Sequence, residues 1–173
     1  MISAETVITF FTASILLGLA PGPDNIFVLT QSALRGRSAG ISVMLGLCTG
    51  LIGHTLAVAF GVAVIFQTSA LAFSILKYIG AGYLVYLAWM SFRASAEEIS
   101  AKGNGDLSRW KLYRRGILMN ITNPKVSIFF LAFLPQFADP EIGPIWIQLL
   151  LFGGLFIVAT ILVFGSIALL AGS

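Results

Sequence analysis

The chain has 173 residues, of which 58% are hydrophobic and only 10% charged, with a net charge of +3. A soluble domain carries about a quarter charged residues, so the composition excludes one and points to an integral membrane protein. The basic excess needs no nucleic-acid partner, because Lys and Arg placed around membrane spans account for it.

At ~20 apolar residues per crossing, the pattern predicts five spans, at residues 6–34, 39–66, 71–92, 116–137 and 145–170. The fold class expected is an all-α integral membrane protein, a polytopic helical bundle. Residues 1–10 hold no Lys or Arg, so the N-terminus lacks the basic region of a cleavable signal peptide. The first span is broken near its middle by Pro21-Gly22-Pro23-Asp24-Asn25. Pro21 and Pro23 have no N–H, so the carbonyls of Leu17 and Leu19 are expected to lose their helical partners. Free carbonyls in hydrocarbon are tolerated where they line a polar cavity or meet other protein. One reading is a Pro-kinked structural helix that carries a polar residue. The other is a transport site, favoured because a mere kink does not need the charge of Asp24.

The second span carries Gly46, Gly50 and Gly53, a small-residue face that lets helices approach closely, followed by His54. His54 reads as a polar packing residue, with a proton relay as the alternative. Cys48 reads as a small packing residue, since a lone cysteine makes no internal disulfide. In the third span, Lys77 can snorkel to an interface. Gly80 with Gly82, and later Gly153 with Gly154, read as packing devices, and Trp89, Trp110 and Trp146 as interface anchors. Residues 93–115 form a linker, with a polar stretch at 96–108 and an interfacial lead-in at 107–115. Arg35 and Arg37 follow the first span, and Arg93, Lys102, Arg109, Lys111, Arg114 and Arg115 follow the third. Basic loops stay in the cytoplasm, so residues 35–38 and 93–115 are expected inside and the N-terminus outside.

The fourth span holds Asn120-Ile121-Thr122-Asn123-Pro124-Lys125. Its proline frees the carbonyl of Asn120. The chain then echoes itself. Gly50-Leu51 returns as Gly154-Leu155 and Phe60-Gly61 as Phe164-Gly165 at one shared offset, and Pro23-Asp24 has a counterpart in Pro124-Lys125. The expected organisation is a single transporter domain, 1–173. Its first repeat is 1–92, its linker 93–115, and its incomplete, inverted second repeat 116–173. That plan predicts a sixth span after Ser173, and truncation is the favoured explanation of its absence. The pseudo-two-fold would bring Asp24 and Lys125 together near mid-membrane. They then form either a structural ion pair or a substrate and coupling site.

Helix N-termini at Pro23 favour an anion, and freed carbonyls favour a cation. A zwitterion suits both, with Asn25, Asn120 and Asn123 adding hydrogen bonds. Asp24 is also the candidate proton carrier. No Ser/His/Asp arrangement, phosphate loop or metal-ligand cluster is visible, so neither an enzyme, a cofactor nor a metal is expected.

The stretch Gly18-Leu19-Ala20-Pro21-Gly22-Pro23-Asp24, the Gly-rich second span and Asn123-Pro124-Lys125 together resemble the LysE/RhtB family of bacterial amino-acid exporters, over essentially the whole chain. The resemblance implies a six-span inner-membrane translocator that exports amino acids against proton entry. Its signature positions are Pro21, Gly22, Pro23, Asp24, Asn123, Pro124 and Lys125. The implied partners are an amino acid, protons and the lipid bilayer, with further copies of the chain left open. The rival readings are a small-cation or metal exporter of the wider superfamily, which would want more His, Cys or acidic groups, and a non-transporting membrane scaffold.

Overall fold

The structure is a computed structural model that describes residues 2–62, 69–93 and 107–173. Among these, every regular element is helical and there is no sheet. The end of the second predicted span, 63–66, and most of the predicted linker, 94–106, lie outside the described residues.

Seven α-helices follow one another: α1 Ala4–Leu19, α2 Pro23–Arg35, α3 Arg37–Ala57, α4 Ala70–Arg93, α5 Arg109–Thr122, α6 Pro124–Ile128 and α7 Ile145–Ala171. Helix α3 runs on through a π-helical turn, Val58–Val62. Helix α6 continues through a π-helical turn, Phe129–Phe133, and a 3-10 turn, Leu134–Phe137. Helices α3, extended to Gly61, and α7 are each long and apolar enough to cross a membrane alone. The pairs α1–α2 and α5–α6 qualify as broken spans, bent by 62° and 51°. That makes two candidate spans, or four if each bent pair is one crossing. The predicted third span falls on α4, a helix of 24 residues whose apolar stretch, among the residues described, is Ser74–Leu87.

Local chemistry explains the boundaries. Ser3 caps α1 by accepting the Thr6 N–H at 3.1 Å. Pro21 and Pro23 end α1 and start α2, with Pro23 in the first turn, where its missing N–H costs nothing. Helix α5 starts at Arg109, capped by Ser108, and not at 116 as the hydropathy suggested. The interfacial lead-in of the predicted linker is therefore helical over 109–115. Its polar residues hid it from a hydropathy reading, although Ser108 ahead of a helix-forming run was the available signal. Helices α2 and α3 are joined by one residue, Gly36, with φ of 79°. That left-handed conformation suits glycine and lets its N–H close α2 on the Ser32 carbonyl at 2.8 Å.

Packing comes in two apolar cores. One is aromatic, with Phe10, Phe129, Phe130, Phe152 and Phe156 buried together. Its rings meet at 4.8 Å for Phe10–Phe152 and 5.0 Å for Phe129–Phe156. The other joins Val28, Val43, Leu47, Leu112, Phe164 and Ala168, with Cys48 among them. Glycine permits the closest helix crossings. A Cβ at Gly46 would overlap the Tyr113 carbonyl and the Gly116 backbone, one at Gly50 would overlap Asn120, one at Gly80 would overlap Ala132, and one at Gly153 would overlap Thr55. Gly53, Gly82 and Gly154 have nothing within 4 Å. The predicted glycine face is thus corrected to Gly46 and Gly50, and one member of each glycine pair packs while the other points outward. Trp89, Trp110 and Trp146 are all exposed, and Lys77 lies over its neighbour Tyr78 at 4.9 Å.

Candidate functional site

The two helix breaks face each other between the cores. At the first, Gly22 is extended and carries no capping side chain, so α2 opens on Pro23 and Asp24. Asp24 is only 3% exposed, and at that position its carboxylate sits in the first turn of a helix, where the dipole favours an anion. At the second, Asn123 caps α6 by accepting the Lys125 N–H at 3.0 Å. With its other side-chain end, Asn123 donates from Nδ2 to Asp24 Oδ2 at 2.9 Å.

Lys125 completes the exchange. Its Nζ donates to the carbonyls of Leu17 at 3.2 Å and Ala20 at 3.0 Å, at the end of α1. Asn25 Nδ2 donates to the Gly18 carbonyl at 2.6 Å. The first break therefore receives its donors from the second break and from its own Asn25. Asp24 and Lys125 lie close enough to attract each other across the junction, while each is hydrogen-bonded to polar groups of the opposite break. The Leu17 carbonyl, expected to be bare, is bound to Lys125. The Asn120 carbonyl, also expected to be free, accepts the Asn123 N–H at 3.1 Å and lies 3.3 Å from His54 Nε2. His54 thus supports the second break, a placement its sequence position did not disclose.

A small, partly open cavity of about 20 Å³ lies at this junction, with room for roughly one water. Asp24, Asn120, Lys125 and Thr160 supply its polar lining, and Leu51, Val126, Phe156 and Phe164 from the two cores help to line it. Three side-chain acceptors at the junction have no partner, Asp24 Oδ1 and Asn120 Oδ1 in the lining and Asn25 Oδ1 behind it. Of the nine predicted site residues, Asp24, Asn120 and Lys125 line the cavity, and Gly22, Asn25 and Asn123 stand just behind them. Pro21, Pro23 and Pro124 are exposed on the surface. They break the helices without lining the chamber. Thr160 was missed. Its signal was its position as one of three polar side chains, with Gln148 and Ser166, in the 27-residue apolar helix α7.

A larger groove of about 850 Å³ lies beside Ile2, Val7, Ile147, Leu151 and Leu155. Its one polar side chain, Gln148, is committed elsewhere. It holds the 139–143 turn by accepting the Asp139 N–H and donating to the Asp139 and Gly143 carbonyls. The groove offers nothing to a charged cargo.

Residues 15–173 match the family profile described as LysE type translocator. A membrane protein of Vibrio cholerae is 33% identical over 165 residues, covering 95% of this chain and 80% of the relative. A homoserine/homoserine lactone efflux protein of Salmonella typhimurium is 36% identical over 162 residues, covering 94% and 78%. A Pseudomonas aeruginosa membrane protein is 34% identical over 139 residues, covering 76% and 63%. No solved structure matches. A chain that is mostly apolar helix, broken twice around a buried acid and a lysine, and matched to this family over nearly all its length, belongs to the LysE-type translocators, and is a membrane efflux transporter rather than an enzyme.

Proposed function

We propose that the protein exports small amino acids and related primary amines across the bacterial inner membrane in exchange for protons, through a site between its two broken helices. The observation that carries this reading is the reciprocal bracing of the breaks around a small polar cavity, with Lys125 on the end of α1 and Asn123 on Asp24. The Salmonella relatives, named for homoserine and its lactone, support a small polar cargo.

In this reading the chain contributes five spans, α4 among them, arranged as two inverted repeats, 1–92 and 116–173, around the 93–115 linker. The basic residues of 35–38 and of the linker face the cytoplasm. The small cavity is then the cargo site, flanked by the aromatic core and by the Val28–Phe164 core. Cargo enters when Lys125 leaves the α1 carbonyls and turns to the cargo's carboxylate. That releases α1 and couples binding to motion. Asp24 takes either a proton or the cargo's ammonium, never both. Mutual exclusion at one carboxylate is enough to exchange the two across a membrane.

The test uses everted membrane vesicles under an imposed interior-acid gradient. Wild-type vesicles are expected to accumulate labelled homoserine. The Asp24→Asn variant should lose proton-driven uptake by at least about tenfold, a loss of ~1.4 kcal/mol or more in coupling, while remaining in the membrane. Undiminished proton coupling in Asp24→Asn rules Asp24 out as the carrier. Variants Asp24→Ala and Lys125→Ala that lose assembly and not export favour the scaffold reading.

A further inference from the structure

We infer that Asn120 and Thr160 join Asp24 to form a subsite for the cargo's primary ammonium, and that the engagement of Lys125 with the α1 carbonyls leaves the cargo's carboxylate unbound. The inference rests on the export reading and deepens it.

Three helices bring three buried polar side chains to one cavity: Asp24 from α2, Asn120 from α5 and Thr160 from α7. Asn120 is 2% exposed and Thr160 4%. Three nearby donors are committed. Lys125 is bound to the α1 carbonyls, Asn123 to Asp24 and Asn25 to Gly18. The acceptors are open, since Asp24 Oδ1 and Asn120 Oδ1 have no partner. A buried acceptor that has given up water needs a donor in return. With those three donors spent and two acceptors unmet, the cavity favours a group that brings hydrogens and positive charge. An ammonium carries three N–H donors, occupies about the volume of one water, and matches Asp24 Oδ1, Asn120 Oδ1 and the Thr160 hydroxyl oxygen. The ligand class is therefore the primary amine, including amides, esters and lactones in which the carboxylate is masked.

The test measures thermal unfolding of the purified full chain in micelles with homoserine amide, homoserine lactone, N-acetylhomoserine and the deaminated 2,4-dihydroxybutyrate, at constant ionic strength in sodium or choline salt. The amide and the lactone are expected to raise Tm, and the acetylated and deaminated compounds to leave it unchanged. Thr160→Val, close in shape to the native residue, should weaken amine binding about tenfold, and Thr160→Ser should restore it. Equal stabilisation by the deaminated compound, the same shift from sodium alone, or no shift with any primary amine overturns the proposal. Amines that bind without uptake into vesicles leave the subsite standing and sink the export reading. Uptake that follows the carboxylate and ignores the amine does the reverse.

Discussion

The Asn123 side chain serves both breaks and the Lys125 amine only the first, and substitution separates their roles. Removing the amine in Lys125→Met leaves the Leu17 and Ala20 carbonyls without their donor. The expected cost is about 1–3 kcal/mol per orphaned carbonyl, read as a lower unfolding temperature in micelles. Lys125→Arg, which keeps N–H donors, should recover part of it. Asn123 offers a cleaner division. Asn123→Asp keeps the oxygen that caps α6 but turns the donor facing Asp24 into a second carboxylate. We expect it to fold better than Asn123→Ala, which gives up a cap worth about 1 kcal/mol. It should nevertheless lose export in the everted-vesicle assay. Folding and export that fall together in both variants would contradict this division. At this scale the sequence disclosed the residue types and little of their pairing. Pro21 and Pro124 announce missing N–H groups, because proline chemistry is local. Lys125 reaches the α1 carbonyls because of how two distant segments meet, which residue spacing does not encode.

Helix α3 holds α5 through glycine. With Gly46 against the backbone of Tyr113 and Gly116, a larger side chain has nowhere to go, because the obstacles are backbone atoms. Gly46→Val should cost about 3 kcal/mol or more. Gly53→Val, on the open side of the same helix, should stay within about 0.5 kcal/mol. The comparison is the surviving monodisperse fraction after heating, and a Gly46→Val protein as robust as wild type would refute the close crossing. The elements themselves were largely legible. Both helix breaks, α3 and α7 lie where the apolar runs and prolines put them. The start of α5 was hidden because Arg109 to Arg115 is polar, and hydropathy reads polar helix as loop. The glycines that pack could not be told from those that do not, since periodicity identifies a face and not what covers it.

For the molecule as a whole, the deep burial of Thr160 makes a prediction about access. The chain has one cysteine, Cys48, buried among Val43, Met44 and Leu47. It should resist maleimide in intact membranes. In a Cys48→Ser background, a Thr160→Cys thiol should be unreactive from either side at rest and react once cargo turns over. Rapid labelling at rest would show an open passage. Gly36 adds a mechanical consequence. Because α2 and α3 share that single joint, there is no slack between them. Any swing of the segment bearing Asp24 must be passed along 13 residues, ~20 Å of stiff rod, to the start of α3, where the Arg37 backbone is pressed against Gly172. Under the export reading, a tilt of α2 on loading is expected to shift the start of α3 against the chain's last glycine, a coupling that a spin-label distance between the two ends would register.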